Sequence, residues 1–466
     1  MTEEKALQQK GSEKLGEMPV HRLFLSMSIP LMISMMIQSL YNMVDSIFVS
    51  WICEDALTAV SLVAPVMNLM FAVAAGTGVG FNALIARKLG QKNQQAANET
   101  ANTGIFLLFL SYLIFLVIGL TCSRRFLMTQ TDIQSIVDYG TTYMTIVMAL
   151  SIGMFGQVAI EKLLQSTGRT VFPMVTQMTG ALINILFDWL LIFGIGPFPE
   201  LGVAGAALAT IFGQCVAMVL GVVFNARYNK EIRLSVRMIL HPKFALIRDI
   251  YKIGIPSIIM ISIGSVMTFG MNKILMAFSS TAVAVFGVYF KIESIIFMPV
   301  FGMNNAAIPI VGYNLGAGKQ DRIRRVYRIG CIYATVFMAA GMVLFQAAPA
   351  GLLGFFNASD YMLEIGVPAL RIISLLFIFA GISIMSSGLF QGTGKSIYSM
   401  IVSILRQLAV LLPAAFLLAK LENLTYVWFS LPIAEVVGFF VTMFYMRKLM
   451  KMIREIREPQ NTGQEG

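Results

Sequence analysis

SIPLMISMMIQSLYNMVDSIFVS, residues 28–50, is long enough to cross a bilayer and holds a single charged side chain, Asp45. About 20 apolar residues rising 1.5 Å each span the roughly 30 Å hydrocarbon core. A charged group at mid-membrane costs at least ~2.5–3.5 kcal/mol, so such residues usually face a cavity and take part in function. A place near the helix end, merely wetted, is the plainer account of Asp45. Pro30 sits in the first turn of the apolar stretch, where backbone N–H groups are spare.

The rest of the chain follows the same pattern. Over 466 residues, 57% are hydrophobic and only 12% charged, and mean hydropathy is +0.77; a soluble domain carries about 25% charged residues. This is the composition of an all-α polytopic membrane protein. Cys53, Cys122, Cys215 and Cys331 lie far apart without ligand or disulfide spacing, which removes cysteine chemistry. The net charge of +10 is no sign of nucleic acid, because the positive residues cluster between apolar runs as cytoplasmic loops do. The first twenty residues mix Glu3, Glu4, Lys5, Lys10, Glu13 and Lys14 and read as a retained cytoplasmic tail, unlike a signal peptide.

Apolar runs predict twelve spans, near 22–50, 57–87, 103–122, 134–159, 171–195, 203–226, 248–278, 281–313, 326–348, 361–389, 397–418 and 424–448. Of the 34 lysines and arginines, the odd-numbered loops hold only Arg124, Arg125 and Lys420, and the span interiors only Lys273, Lys291, Arg371 and Arg406. The others lie in the N-terminal tail, the even-numbered loops and the C-terminal tail or on the span ends that meet them, which places both termini in the cytoplasm. The organisation expected is a tail at 1–21, an N-lobe at 22–226, a linker at 227–247, a C-lobe at 248–448 and a second tail at 449–466.

GTGKS at 392–396 resembles the end of a phosphate-binding loop, but the pattern needs glycine where Leu389 stands, and a strand before it. GTGVG at 76–80 reads as small residues for close helix packing. The chain also repeats itself. At an offset of 226 residues Gln165, Thr167, Gly168 and Arg169 meet Gln391, Thr393, Gly394 and Lys395, Pro30 meets Pro256, and Leu89–Gly90 meets Leu315–Gly316. Six spans per repeat is an even number, so the halves enter the membrane in the same direction and are related by an axis along its normal. Two such pseudo-symmetric bundles enclose a central cleft.

The 28–50 helix, LGQKN and LGAGK at the ends of the second and eighth spans, the duplicated Q-S/G-T-G-R/K-T/S loop and the basic linker resemble the multidrug and toxic compound extrusion (MATE) family over about residues 16–450. The resemblance implies export of organic, often cationic, compounds in exchange for protons or Na⁺. It also implies an ion-coupling site on Asp45, Asn184 and Asp188. The residues themselves allow this: Asp45 and Asp188 lie at similar depth, and Asn184 and Asp188, four apart, share a helix face. Paired carboxylates in a dry cavity hold a proton or, with Asn184 oxygen, a small hard cation.

The substrate-binding candidates are Gln38, Tyr41, Asn42, Gln157, Glu161, Lys291, Glu293 and Arg371. The first three precede Asp45 on much the same face, where any of them could instead hydrogen-bond a neighbouring helix. Glu161, followed by Lys162 at a loop edge, is expected to be salt-bridged, with a cavity carboxylate as the alternative. In the second half Met271 and Ala414 replace the aspartates. There the expectation is internal pairing, Arg371 or Arg406 with Glu435, and Lys273 reaching outward; the competing account is a polar wall of Lys291, Glu293 and Arg371. Of 32 methionines and 34 phenylalanines, Met35, Met36, Met43, Met260, Met267, Phe155 and Phe297, together with Tyr289, are taken to line the cleft, where thioethers and aromatic faces suit varied cationic ligands.

The function expected is a secondary multidrug antiporter of the bacterial inner membrane, contributing to antibiotic resistance. It acts as a monomer on small drugs, with no structural metal or cofactor beyond the coupling ion, H⁺ or Na⁺. A flippase for a lipid-linked sugar or other anionic amphiphile is the alternative that the basic C-lobe suggests. Enzyme chemistry is disfavoured because His21 and His241 lie at the membrane edge.

Overall fold

A computed structural model describes residues 11–356 and 358–455; residues 1–10 of the first tail and those beyond 455 of the second lie outside it. All the regular structure described is helical. A short α1 (Glu13–Glu17) leads into α2 (Val20–Ser50), α3 (Glu54–Gly90), α4 (Gln94–Met128), α5 (Gln134–Ala149), α6 (Ile152–Ser166), α7 (Val171–Phe193) and α8 (Val203–Tyr228). After α9 (Val236–Leu240) in the linker come α10 (Phe244–Met276), α11 (Ser280–Gly316), α12 (Gln320–Ala347), α13 (Pro349–Gly354), α14 (Asp360–Ser374) and α15 (Phe377–Gly392). Finally α16 (Ser396–Ile404) passes through a π-helical turn at Leu405–Leu411 into α17 (Leu412–Ala419), followed by α18 (Leu424–Trp428) and α19 (Ser430–Glu455).

By length and composition ten spans are unbroken, and two more are bent pairs: α5 with α6, turning by 43°, and α14 with α15, turning by 51°. That makes the twelve expected. The bends fall at Leu150–Ser151 and Leu375–Leu376, equivalent positions of the two halves to within one residue, where the sequence predicts one span each. Past its bend, α6 lies against α8 because Gly153 has no side chain: a Cβ there would sit 2.8 Å from Cys215 Sγ. The third span is longer than expected because Asn93 caps it, accepting from Ala96 N–H at 3.0 Å, and its polar first turns stay helical.

α3 packs on α10 and α11, and α2 on α11. The closest approaches fall in the part of each helix nearest the chain termini. A Cβ on Gly76 would meet Ile258, on Gly80 Ile250, on Gly302 Met32 and on Gly312 the Ala83 carbonyl. The tightest pair is reciprocal. A Cβ on Gly90 would lie 2.0 Å from the Tyr313 carbonyl oxygen and one on Gly316 2.0 Å from that of Arg87, so the LG motifs are where the halves cross backbone to backbone.

The N-terminal segment bridges that crossing. Leu15 is fully buried, and the C-terminal carbonyls of α1, which have no helical partner, are taken by the second half. Asn314 Nδ2 donates to Leu15 O at 2.9 Å, Lys319 Nζ to Gly16 O at 2.9 Å and Arg322 Nη2 to Met18 O at 2.7 Å. At the other end Ser12 N–H donates to Glu231 of the linker at 3.0 Å, and Arg169 lies 3.9 Å from the same carboxylate. Burial pushes the Lys14 ammonium down to about 8, Arg169 adding to the effect and Glu231 opposing it. Docking therefore disfavours the charged lysine, while an undocked segment keeps the ordinary value near 10.4. Protection of the amides of residues 11–18 from hydrogen exchange, corrected for intrinsic rates, is expected to rise between about pH 8 and 10. A flat profile sinks this account.

Candidate functional site

Close packing of α7 on α8 builds the site. Gly213 admits Gly180 O, where a Cβ would come within 2.6 Å, and Gly205 admits Leu191 O at 2.5 Å. At that separation Thr210 of α8 reaches Asn184 of α7, whose Nδ2 donates to Thr210 Oγ1 at 3.3 Å. Asp188, one turn further along α7, is wholly buried. Its carboxyl meets that of Asp45 from α2 at hydrogen-bonding range. Tyr143 of α5 stands beside Thr210 and close to both aspartates.

Asp45 Oδ1, both Asp188 oxygens and Asn184 Oδ1 are buried without a hydrogen-bond donor among the described residues. A set of facing oxygens with no donor is balanced by a shared proton or by a bound cation, since buried polar atoms otherwise lose their hydration without return. The three residues singled out in the sequence thus come together. Tyr143 and Thr210 were missed; one aromatic and one threonine in apolar spans carry no spacing signal, and the small-residue run VAGAALAT, a mark of close helix contact, went unread.

Tyr41, one turn before Asp45, lies near enough to feel both Asp45 and Glu161, between the pair and a second polar group. Glu161 Oε1 accepts from Gln157 Nε2 at 2.9 Å and from Thr176 Oγ1 at 3.1 Å, and Gln157 Nε2 also donates to Gln177 at 2.7 Å. The salt bridge expected at Glu161 is not made among the described residues. Its neighbour Lys162, expected at a loop edge, is instead a buried residue of α6. Asn42 is exposed and Gln38 half-buried, while Ser39 of the same helix meets Ser294 of α11 at 2.9 Å across the two halves.

The second half keeps its charges to itself. Arg406, in the π-helical turn, pairs with Glu435 at 2.5 Å, and Lys273 lies exposed over the Phe269 ring. Glu293 hydrogen-bonds Tyr289 and faces Arg406 and Glu435. Lys291, two residues from Glu293 and hence on another side of α11, lies exposed over Phe356. The Arg371 side chain is also exposed. A single wall of Lys291, Glu293 and Arg371 is therefore not formed, and internal pairing is. Among the expected cleft residues, Met36 and Met43 belong to an exposed stripe of α2. Phe155, Met267 and Tyr289 are core instead, Phe155 packing on Phe115 at 5.8 Å.

Compared with known proteins, the chain matches the MatE family in two segments, residues 30–190 and 256–417, one in each half and set apart by the repeat offset. The chain belongs to the MatE family. Among its MatE relatives, it is 24% identical over 434 residues to the multidrug export protein MepA of Staphylococcus haemolyticus, covering 93% of this chain and 94% of that one. It is 26% identical to the probable multidrug resistance protein NorM of Thermotoga maritima, covering 86% of each chain. It is 25% identical to the FAD transporter of Shewanella oneidensis, covering 90% and 92%. Its fold is that of solved MATE structures. It superposes with a TM-score of 0.90 on MATE in complex with MaL6, at 24% identity and covering 96% of this chain and 100% of that one. The TM-score is also 0.90 against a multidrug resistance MATE family transporter in an outward-facing conformation, at 23% identity and covering 96% and 99%. By name, MepA is an export protein and the Shewanella protein a transporter.

Proposed function

We propose that this protein is a secondary active exporter of amphiphilic, mainly cationic organic compounds, driven by inward movement of H⁺ or Na⁺ across a bacterial inner membrane, with both termini cytoplasmic. The observation that carries the reading is the donorless oxygen set of Asp45, Asn184 and Asp188. A proton or small cation bound there is the exchangeable charge. Glu161, held by neutral hydrogen bonds, is the carboxylate left to face a positive ligand. Rocking of the two halves exposes the cleft to either side in turn, and ion and drug drive the exchange by favouring different states. The names of MepA and NorM support drug export. The flippase alternative drew on a basic second half, and Arg406, paired with Glu435, weakens it.

The test is efflux of a fluorescent lipophilic cation from liposomes holding the purified protein, under an imposed proton gradient and, separately, a sodium gradient. One gradient is expected to accelerate efflux on the order of tenfold or more over the gradient-free leak. No acceleration by either overturns the coupling.

A further inference from the structure

Lys162 feels the charge of Glu161 beside it without forming an ion pair with it; it is 8% exposed and lies in the interface between the halves. Its ammonium donates to Gln165 Oε1 on its own helix at 3.0 Å and to Asn305 Oδ1 on α11 of the other half at 3.1 Å. Both partners are neutral amides, and Lys162 is in none of the ion pairs among the described residues. Its stem rests on Gly78, where a Cβ would come 2.8 Å from Lys162 Cγ. The apolar contacts around this level, Gly76 with Ile258 and Gly302 with Met32, have no charge among them.

The repeat makes the placement sharper. Gly78 and Lys162 correspond, at the offset of 226, to Asn304 and Gly388. In the second half the filler has changed helix: Asn304 fills the space over Gly388, where a Cβ would lie 2.2 Å from Asn304 Oδ1. Both halves thus carry one small and one large residue at this crossing. Only the first half's filler is charged and long enough to reach across.

We propose that Lys162 is a positioning residue of the transport cycle, a charged bolt whose bond to Asn305 holds the halves together at the end that carries the termini. A buried ammonium is tolerated only while its hydrogen bonds last. When the halves part there, Asn305 leaves with α11 and water takes its place. The bond therefore exists in one state only, and its strength sets how often that end opens. This deepens the alternating-access reading, but the distance between the halves can be measured whether or not the protein exports anything.

The experiment uses the full-length protein in lipid nanodiscs, with its four cysteines replaced and spin labels on Gln95→Cys of the first half and Asp321→Cys of the second, both exposed near the terminal end. Electron–electron resonance gives the distance distribution. Asn305→Leu leaves the ammonium with Gln165 alone and an apolar group across the interface, and is expected to raise the long-distance population at least about tenfold. Adding Lys162→Met, which keeps the stem over Gly78 but removes the charge, is expected to reverse that opening, because a buried pair replaced on both sides costs far less than one broken on one side. Asn305→Asp supplies a carboxylate and is expected to shrink the long-distance population below that of the parent protein and to slow efflux; it serves as the test should Asn305→Leu fail to fold. Unchanged distances in Asn305→Leu and Asn305→Asp overturn the proposal. So does an opening in Asn305→Leu that Lys162→Met fails to reverse.

Discussion

Replacing Asp188 by asparagine is expected to reduce gradient-driven efflux to the level of the passive leak, a fall of about 100-fold, while binding of the drug to the detergent-solubilised protein changes by no more than about threefold. The reasoning starts from the oxygens. Asp188 is wholly buried and both its carboxyl oxygens lack a donor among the described residues, so the charge it shares with Asp45 is answered only by what the site binds. An asparagine brings its own donor to Asp45 Oδ1 and settles the pair without an ion. An ion that no longer distinguishes the two states shifts neither, however steep its gradient. Asp45→Asn should give the same loss, and the double variant should be no worse than either single one, because the carboxyls act as a unit. Efflux that keeps its gradient dependence in both single variants removes the coupling role from these residues. The threefold bound on drug binding separates lost coupling from a collapsed cleft.

The second large effect is expected at Gly90. A methyl group there would lie 2.0 Å from the Tyr313 carbonyl oxygen, and neither side of that contact is a flexible side chain that can turn away. Overpacking in a fixed interface costs about 1–3 kcal/mol, and only the state with the halves crossed at that end bears the cost. Gly90→Ala is therefore expected to lower the population of that state by roughly 30-fold, for about 2 kcal/mol. The helix should persist, since alanine is favoured over glycine within it by about 1 kcal/mol. Gly316→Ala, against the Arg87 carbonyl, should behave alike. The Gln95–Asp321 distance reads the shift directly. A variant that keeps the short distance would mean that the crossing relaxes by sliding, and that its glycines do not decide the closure.

How far the sequence could lead depended on which physical signal each feature leaves. The twelve spans and the repeat were legible because apolar runs must be long and because paired motifs keep their register, and the two bent spans obey that register as well. Their bends were not legible. Neither Leu150–Ser151 nor Leu375–Leu376 holds a proline or glycine, the residues that usually mark a break. Asp45 stood out because ionisable groups are rare at that depth, Asn184 and Asp188 were added by the family resemblance, and the structure brings the three together. Thr210 and Tyr143 complete the site through contacts between helices, which periodicity along a single helix cannot reveal. Lys162 was misread for a related reason. Beside Glu161 and three residues before a loop motif, it has the sequence context of a loop-edge salt bridge, and only the bend of α6 and the bare Gly78 carry it inward.

The exchange of small and large residues between Gly78 with Lys162 and Asn304 with Gly388 also bears on the ancestry of the chain. Were two copies of the first half to assemble as a homodimer, the position facing each lysine would be held by Val79, the counterpart of Asn305, and each ammonium would keep Gln165 but meet hydrocarbon across the interface. The halves have diverged into obligate partners. A gene built by joining the first half to itself would encode a protein unable to shut the end at which its termini lie, although every span of it still inserts.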